Sequence, residues 1–360
     1  MQAPGFRGVN LLDKQRVAGF ADRVYRDMAG ALTIGMAYLG QRTGLFRAMA
    51  ESGPVTPQTL AALTGLQQRY IEEWLGGMAT AGWIEFDEPA GTFTLPEEHA
   101  WLLASEGTDH FIGGFFVALP SMLSHAPDIA KAFRDGGGVP FCNYDSDSIE
   151  AIDMMSAGLF AERLASYWLP QVPEAVAALE KGGSALDVGC GAGRAVIALA
   201  TAFPNGSATG VDTDGRSIAR ARENATSAGA SARFIEGTVD AVPDGERFDL
   251  VTMFDCLHDI ADPLSVLKAI RTRMKPGATL FVMEPRVADR LADNINPMGT
   301  IYYGFSLFHC MTQSLAQDGA GLGACMGPKR TMALIREAGF SEVAVLPIKS
   351  QTNSFYAARR

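Results

Sequence analysis

Three glycines follow a short apolar segment in the sequence ALDVGCGAG of residues 185–193. Gly189, Gly191 and Gly193 have the spacing GxGxG. A dinucleotide-binding turn has the spacing GxGxxG, in which the last glycine lets the helix pack closely on the strand and a pyrophosphate is held at the helix N-terminus. Arg194 occupies the position of that last glycine. The segment therefore predicts a nucleoside-binding turn that has no need for a pyrophosphate.

Two carboxylates accompany the glycine turn. Asp187 lies at the end of the strand before it, and Asp212 ends the next predicted strand, where a carboxylate can accept both ribose hydroxyls. A helix is predicted to begin near Ala192, with its N–H groups directed at a carboxylate of the ligand. These features favour S-adenosylmethionine as the ligand. Asp212 also suits the N-cap of the following helix, so both roles stay open.

Strands and helices alternate after residue 183, which is typical of a parallel α/β sheet. Seven strands are predicted, at residues 184–188, 207–212, 232–236, 248–254, 279–284, 342–346 and 354–358. Helices are predicted at residues 192–203, 215–228, 263–274 and 329–338. Ligands of such sheets bind outside the carboxyl ends of the strands, where the glycine turn and Asp212 are expected to lie.

The first hundred residues predict a mainly helical domain. Apolar residues at helical spacing indicate helices with a broad apolar face over residues 14–50, with a break at Gly44. Two more helices follow, the first capped by Thr56 and ended by Gly65. A short hairpin is then predicted from strands at residues 83–86 and 92–95, and the whole is a winged-helix pattern.

The charge of this segment disfavours nucleic acid as a partner. Residues 55–100 contain one basic side chain and seven acidic ones, namely Arg69 against Glu72, Glu73, Glu85, Asp87, Glu88, Glu97 and Glu98. DNA and anionic membranes both require a basic surface, and the whole chain has a net charge of -10. Charged residues make up 19%, below the roughly 25% of typical globular proteins, which favours surface buried between domains or between chains. We therefore expect a homodimer.

Three segments are predicted, a helical and winged-helix dimerisation domain at residues 1–110, a helical connector and lid at residues 111–180, and an α/β domain at residues 181–360. The N-terminal sequence up to Lys14 has no continuous apolar segment of the secretory type. Two uncharged stretches, at residues 29–41 and 111–124, fall short of the ~20 residues that a membrane-spanning helix needs. We expect no membrane partner and a cytoplasmic location.

Further motifs occur in order after DVGCGAG and GVD, namely FDLVTMFDCLHD at residues 248–259 and the turn KPG at residues 275–277. In this combination the chain resembles class I S-adenosylmethionine-dependent methyltransferases, well over residues 184–285 and more weakly at AGF of residues 338–340. With the winged-helix segment it is similar to the dimeric small-molecule methyltransferases of bacteria and plants. The resemblance implies a Rossmann-like, seven-stranded methyltransferase domain, preceded in the sequence by a mainly helical winged-helix domain.

The resemblance also implies which residues contact the cofactor. In the family, an Asp after the third strand often binds the adenine amino group, but Thr238 stands at that position in EGTVD. Adenine would then be bound by Thr238, Val239 and backbone groups, or by Asp240. The fourth strand is expected to place Phe254 and Asp255 beside the methionine end. The predicted cofactor-binding residues are Asp187, Gly189, Gly191, Gly193, Asp212, Thr238, Val239, Phe254 and Asp255.

His258 lies where plant-type O-methyltransferases carry their general base. Imidazole suits this role because its unperturbed pKa is ~6.5. Methyl transfer from a sulfonium is an in-line displacement, so alignment supplies most of the rate and a base adds about 10²- to 10⁴-fold. A structural or pocket-shaping role stays open for His258. Asp255 is expected to orient His258, to bind the cofactor or to contact an amine substrate.

A long insertion between a strand and a helix covers residues 294–327, a length that usually indicates a functional element. Tyr302, Ser306 and His309 share one helical face by their spacing. They are expected to face a substrate over the sheet, or to pack against the lid or a partner subunit. No cysteine or histidine group has metal-ligand spacing, so neither a metal site nor a disulfide framework is predicted.

The sequence thus predicts transfer of a methyl group from S-adenosylmethionine to an oxygen, nitrogen or sulfur of a small, fairly apolar molecule. One alternative is S-methylation of a small thiol, where an ionised nucleophile lowers the need for a base. Another is a winged-helix regulator that binds S-adenosylmethionine or an effector without turnover, which the acidic winged helix disfavours. The acceptor depends on scattered lid residues, so no motif identifies it.

Overall fold

The computed structural model describes residues 12–360 as two compact units, one ending at Ser105 and the other spanning Glu106–Arg360. Residues 1–11 lie outside the described residues. The prediction that the N-terminal sequence has no secretory segment, and the start of the predicted first domain, fall on these residues. The predicted connector and lid belong to the same unit as the α/β sheet. Between residues 12 and 360, no helix combines the length and apolar character needed to cross a bilayer.

The N-terminal unit is helical with a two-stranded wing. Its elements are α1 (Lys14–Arg42), α2 (Leu45–Ser52), α3 (Pro57–Thr64), α4 (Gln68–Thr80), β1 (Glu85–Asp87), β2 (Thr92–Thr94) and α5 (Glu97–Leu103). As predicted, Gly44 separates α1 from α2. The hydroxyl of Thr56 accepts the N–H of Thr59 at the start of α3, and Gly65 ends α3 in the left-handed conformation. The first wing strand begins later than expected because the N–H of Trp83 is bonded to the end of α4.

The C-terminal turns of helix α1 are packed in this unit, whereas its earlier turns are exposed. In the packed part, the Trp74 indole donates to the carbonyl of Met36 at 2.8 Å, and a Cβ on Gly40 would lie 2.6 Å from the Phe46 ring. In the exposed part, large apolar side chains face solvent, including Phe20 at 68%. A monomer that leaves such a stripe in water loses the free energy of its burial.

The C-terminal unit contains the remaining helices and strands. Its helices are α6 (Gly113–Ser124), α7 (Ala126–Asp135), α8 (Ser146–Leu159), α9 (Pro173–Glu180), α10 (Arg194–Ala202), α11 (Gly215–Ala228), α12 (Pro263–Arg273), α13 (Pro297–Phe305), α14 (Met311–Leu315) and α15 (Gly327–Glu337). Its strands are β3 (Ser184–Val188), β4 (Ser207–Asp212), β5 (Arg233–Glu236), β6 (Phe248–Phe254), β7 (Met274–Pro285), β8 (Ser341–Val345) and β9 (Asn353–Arg359). π-Helical turns follow α8 at Phe160–Trp168 and α13 at Ser306–Cys310.

The seven strands form one sheet in the order β5-β4-β3-β6-β7-β9-β8. Neighbours from β5 to β7 are parallel, whereas β9 is antiparallel to both β7 and β8. This confirms the predicted fold class, a seven-stranded α/β domain that follows a helical winged-helix domain in the sequence. Because β3 and β4 are central and parallel, the glycine turn and Asp212 meet at one edge of the sheet.

Several boundaries differ from the sequence prediction, and two of these differences in the α/β domain have a clear local reason. Helix α10 begins at Arg194 rather than near Ala192, because Gly193 has φ +78° and cannot belong to a right-handed helix. Strand β7 begins at Met274 rather than at residue 279, because Met274 already pairs with Phe248 before a bulge in the ladder.

Two apolar layers cover the faces of the sheet. Leu250 lies in the first layer with Trp168, and Val251 lies in the second layer with Leu267. Consecutive residues of a strand point to opposite faces, so each buried strand contributes to both layers. This packing holds the strand ends rigidly at the edge where the candidate site lies.

Candidate active site

The glycine turn after β3 depends on the absence of side chains. Gly189, Gly191 and Gly193 have φ values of +72°, +49° and +78°. A Cβ on Gly189 would lie 2.8 Å from the Cβ of Cys256, and one on Gly193 would lie 2.7 Å from the Phe234 ring. Glycine is therefore required here both for the backbone conformation and for the close packing of the neighbouring elements.

Asp212 is bound to the glycine turn through its carboxylate. Oδ2 accepts the N–H of Gly191 at 2.9 Å, and Oδ1 accepts the N–H of Asp214 at 2.9 Å. Burial raises the pKa of Asp212 above its ordinary value, although these hydrogen bonds oppose the shift. The N-cap of α11 is Asp214, which accepts the N–H of Ser217 at 2.8 Å. The capping role considered for Asp212 therefore belongs to its neighbour.

Asp187 lies inside the sheet beneath the turn, with 2% of its surface exposed. Its Oδ1 accepts the hydroxyl of Thr252 on the adjacent strand at 2.6 Å. Burial raises the pKa of Asp187 to about 7, Thr252 opposes the shift, and the charge of Asp212 adds to it. A second buried carboxylate thus lies next to the turn in an environment that disfavours negative charge.

The raised pKa of Asp187 predicts a pH-dependent cost to stability. The folded state retains its proton up to about pH 7, whereas the unfolded state releases it near pH 4. Relative to Asp187→Asn, the unfolding free energy of the wild type should fall as pH rises from about 4 to 7, by on the order of 2–4 kcal/mol. Denaturant titrations of both proteins across this range measure the difference.

Glu337→Gln, at an exposed position of α15, is the matched control for the Asp187 experiment. Its difference from the wild type should be nearly constant with pH. Parallel stability curves for the wild type and Asp187→Asn would contradict the prediction.

The imidazole of His258 is fixed from one side by Glu284 at the end of β7. His258 is 3% exposed, and its Nδ1 lies 2.5 Å from Oε2 of Glu284. The other carboxylate oxygen, Oε1, accepts the N–H of Leu257 at 3.0 Å. Sequence reasoning expected Asp255 to orient His258 as one of three roles, and it missed Glu284. The available signal was the position of Glu284 at the carboxyl end of a predicted parallel strand.

The other ring nitrogen of His258 faces a second carboxylate and a thiol. Nε2 lies 3.2 Å from Oδ1 of Asp259, and the nearest ligand-type atoms of His258, Asp259 and Cys310 lie within 4.8 Å of one another. Burial by itself would lower the pKa of His258, but the charges of Asp259 and Glu284 outweigh it and hold this pKa well above its ordinary value. Burial raises the pKa of Cys310 to about 12, so its thiol is neutral.

Asp255 lies beside this histidine but interacts with another residue. Its backbone has φ +49°, and both carboxylate oxygens accept Nδ2 of Asn353, at 3.0 and 3.1 Å. Partial desolvation and the charge of Glu284 raise the pKa of Asp255 above its ordinary value, and because the side chain is accessible, solvent weakens this shift. The structure thus leaves Asp255 available for a cofactor or substrate and assigns the orientation of His258 to Glu284.

The residues expected around adenine and the methionine end have different environments. Val239 is buried in the second apolar layer, whereas Thr238 and Asp240 on the same turn are exposed. Phe254 packs on Phe160 with ring centroids 5.0 Å apart. The side chain of Val239 is therefore occupied by core packing, while the two polar side chains of this turn remain accessible.

The insertion does not keep the helical face predicted for Tyr302, Ser306 and His309. The π-helical turn Ser306–Cys310 changes the spacing on which that prediction depended. The hydroxyl of Tyr302 donates to a backbone carbonyl of the β8–β9 loop, whereas the ring of His309 packs on Tyr144 at a centroid distance of 5.0 Å. The same turn brings Cys310 to His258, a contact between residues too far apart in sequence for any spacing rule to indicate.

Family models match both units. A methyltransferase domain matches residues 179–339, and an Rv2258c-like winged HTH domain matches residues 30–105. A ubiquinone biosynthesis O-methyltransferase of Serratia proteamaculans is 35% identical over 98 residues, which are 27% of this chain and 40% of that protein. A protein of the same name from Vibrio vulnificus is 32% identical over 102 residues, 28% of this chain and 43% of that one. The chain thus covers less than half the length of these relatives.

Solved structures resemble the chain over nearly its whole length. Mitomycin 7-O-methyltransferase has a TM-score of 0.69 and 20% identity, covering 97% of this chain and 100% of that one. Human N-acetylserotonin methyltransferase, solved in complex with S-adenosylmethionine, has a TM-score of 0.65 and 20% identity, covering 98% and 99%. At these identities the likeness shows the fold. The chain therefore contains a methyltransferase domain at residues 179–339 and a winged HTH domain at residues 30–105, and it shares the fold of methyltransferases that include one solved with S-adenosylmethionine.

Proposed function

We propose that the protein transfers the methyl group of S-adenosylmethionine to an oxygen, nitrogen or sulfur of a small, fairly apolar molecule. The supporting observation is the charge of the site. Asp187, Asp212 and Asp255 lie around the glycine turn and the end of β6, and each has a raised pKa. A cationic ligand stabilises such carboxylates, whereas a pyrophosphate is repelled by them. S-adenosylmethionine carries a sulfonium and an ammonium group, so it suits these charges better than a dinucleotide.

In this proposal Asp212 binds the ribose of the cofactor. A carboxylate has about four lone-pair sites, and backbone N–H groups, among them those of Gly191 and Asp214, occupy part of them. The sites that remain are proposed to accept the ribose hydroxyls. The backbone of Gly189–Gly193 approaches the amino-acid part, and the exposed Thr238 lies on the turn proposed to hold adenine.

His258 is the residue proposed to receive the proton of the acceptor. Glu284 holds Nδ1, so Nε2 is the nitrogen that would take a proton from a hydroxyl, amine or thiol. The acceptor atom forms its bond to the methyl carbon while the carbon–sulfur bond breaks, and S-adenosylhomocysteine leaves. Asp259 then stabilises the imidazolium. The relatives named O-methyltransferases favour an oxygen acceptor.

The proposal is tested by calorimetry and by an acceptor screen. Titration of the protein with S-adenosylmethionine and with NAD should show binding of the first only. Incubation with S-adenosylmethionine and a panel of small phenols, alcohols, amines and thiols should give a product with a one-methyl mass gain. Preferential NAD binding would contradict the proposal, and cofactor binding without any methylated product would favour the regulator alternative.

The exposed apolar face of α1 is proposed to form a homodimer interface. Phe20, Met28 and Leu32 recur at helical spacing and are 68%, 57% and 69% exposed. Each buried side chain of this size contributes about 1.5–3 kcal/mol. The double variant Phe20→Glu/Met28→Glu should therefore raise the dimer dissociation constant by at least about 100-fold, as measured by sedimentation equilibrium.

Arg26→Glu, on the opposite face of α1, is the matched control for the dimer experiment and should leave the dissociation constant within a few-fold of the wild type. A wild-type protein that sediments as a monomer at all concentrations contradicts the dimer proposal. An equal effect of both variants would show that added charge, rather than the apolar face, is responsible.

A further inference from the structure

An ion cluster centred on a buried carboxylate lies next to the glycine turn. Asp153 of α8 is 1% exposed, with Oδ1 2.5 Å from Nε of Arg194 and Oδ2 2.8 Å from Nε of Arg220. Nδ2 of Asn224 donates to Oδ1 of Asp153 at 3.0 Å and to the carbonyl of Ala192 at 3.0 Å. The Asp153 carboxylate thus joins the predicted lid segment to α10 and α11. Through Asn224 it is also connected to the Ala192 carbonyl in the glycine turn.

The balance of charge makes Asp153 the centre of this cluster. The Asp153 carboxylate contacts two guanidinium groups, and each of its oxygens pairs with one of them. Without the carboxylate, Arg194 and Arg220 would lose their shared partner, leaving Arg220 only its longer contact with Glu223 at 3.9 Å. Asn224 would also lose one of its acceptors. Removing the shared partner of buried or half-buried charges is strongly unfavourable, so the neighbouring elements would have to move.

The elements that would move are those proposed to hold the cofactor. Arg194 is the first residue of α10 and occupies the position at which a dinucleotide site has glycine. Ala192 lies between Gly191 and Gly193, and its carbonyl is held from behind by Asn224. The turn is thereby held at two backbone groups, the Ala192 carbonyl by Asn224 and the Gly191 N–H by Asp212.

We infer that Asp153 is a positioning residue of the cofactor site, which acts through Arg194 and Asn224 to hold the glycine turn in its cofactor-binding conformation. Arg194, which stands where a dinucleotide site has its third glycine, is one of the residues through which Asp153 acts. The inference depends on the proposed function for the identity of the ligand. A shift of the turn by about 1 Å weakens contacts that require alignment by about 10- to 100-fold.

The test compares Asp153→Asn and Arg194→Met with the wild type. Calorimetry with S-adenosylmethionine and with S-adenosylhomocysteine should show dissociation constants raised by about 10- to 100-fold in both variants. The KM for S-adenosylmethionine should rise by a similar factor, while kcat at saturating cofactor stays within about twofold. Arg194→Lys, which keeps the charge, should restore most of the affinity lost in Arg194→Met.

Arg69→Gln is the control, because it breaks an exposed ion pair with Glu73 in the N-terminal unit and should leave the cofactor dissociation constant unchanged. Arg194 is partly exposed, so Arg194→Met keeps the test decisive where Asp153→Asn fails to fold. Wild-type affinity in a folded Asp153→Asn or Arg194→Met would overturn the inference alone. A wild type that binds neither nucleoside would overturn the proposed function, and this inference with it.

Discussion

Replacing His258 by alanine should lower kcat by about 10²- to 10⁴-fold, with the dissociation constant for S-adenosylmethionine within about twofold of the wild type. The reason is that Nε2 is proposed to take the acceptor proton during transfer, whereas the cofactor is held by other residues. Single-turnover and steady-state assays with an acceptor from the screen measure both quantities. A variant that keeps full activity across the pH range would contradict the general-base role.

The pH profile of the same reaction provides a sharper test. Asp259 and Glu284 outweigh burial and raise the pKa of His258 well above its ordinary value, so the imidazole is protonated at neutral pH. A base must be deprotonated to act, and kcat/KM for the acceptor should therefore rise with pH above neutrality. Glu284→Gln removes one of the two charges that raise this pKa, so the rising limb should move to lower pH.

The Glu284 variant also separates a base from a positioning residue. Glutamine keeps an oxygen that can accept from Nδ1, so the ring orientation is retained while the charge is lost. An unshifted profile in Glu284→Gln would show that the titrating group is not His258. The acceptor would then ionise by itself, and His258 would act by alignment.

Replacing Asp212 by alanine should weaken S-adenosylmethionine binding by about 10²- to 10⁴-fold. A hydrogen bond to a charged group contributes about 1.5–3 kcal/mol, and two ribose hydroxyls are proposed to bind this carboxylate. The variant also loses the acceptor for the N–H of Gly191, which loosens the glycine turn. Calorimetric titration with S-adenosylmethionine and S-adenosylhomocysteine measures the loss.

Asp214→Ala is a matched control two residues away. Asp214 caps α11 through the N–H and hydroxyl of Ser217, both at 2.8 Å, so its loss should cost about 1 kcal/mol of stability. Cofactor affinity should change little. If Asp212→Ala binds the cofactor within about fivefold of the wild type, the ribose-binding role is wrong.

Much of the fold could be predicted because its signals are local. Strands β3, β4 and β6 have the predicted bounds, since each is a short, largely buried segment that glycine or polar residues precede and follow. Thr56 and Gly65 delimit α3 as expected because capping and left-handed backbone depend on single residue types. The predicted start of β7 was less accurate because strand pairing at Met274 decides it, and that of α10 because the positive φ of Gly193 decides it.

The partners of His258 could not be predicted in the same way. The motif at the end of β6 indicated the histidine, but its contact with Glu284 depends on the register of two strands, in which Phe254 pairs with Met283. Cys310 reaches the same histidine only because a π-helical turn interrupts the insertion. Neither register nor a π-turn has a residue pattern strong enough to be recognised in one sequence.

The glycine turn and Asp212, the proposed cofactor site, could be recognised from the residues alone, because a glycine turn between an apolar strand and a helix carries its chemistry within a few neighbouring residues. The same residues showed that Arg194 replaces the glycine of a dinucleotide site. The contacts of that arginine, and the carboxylate that orients His258, became known from the folded structure. Asp153 and Glu284 lie far along the chain from their partners, and the packing of helices and strands around one core brings their charges together.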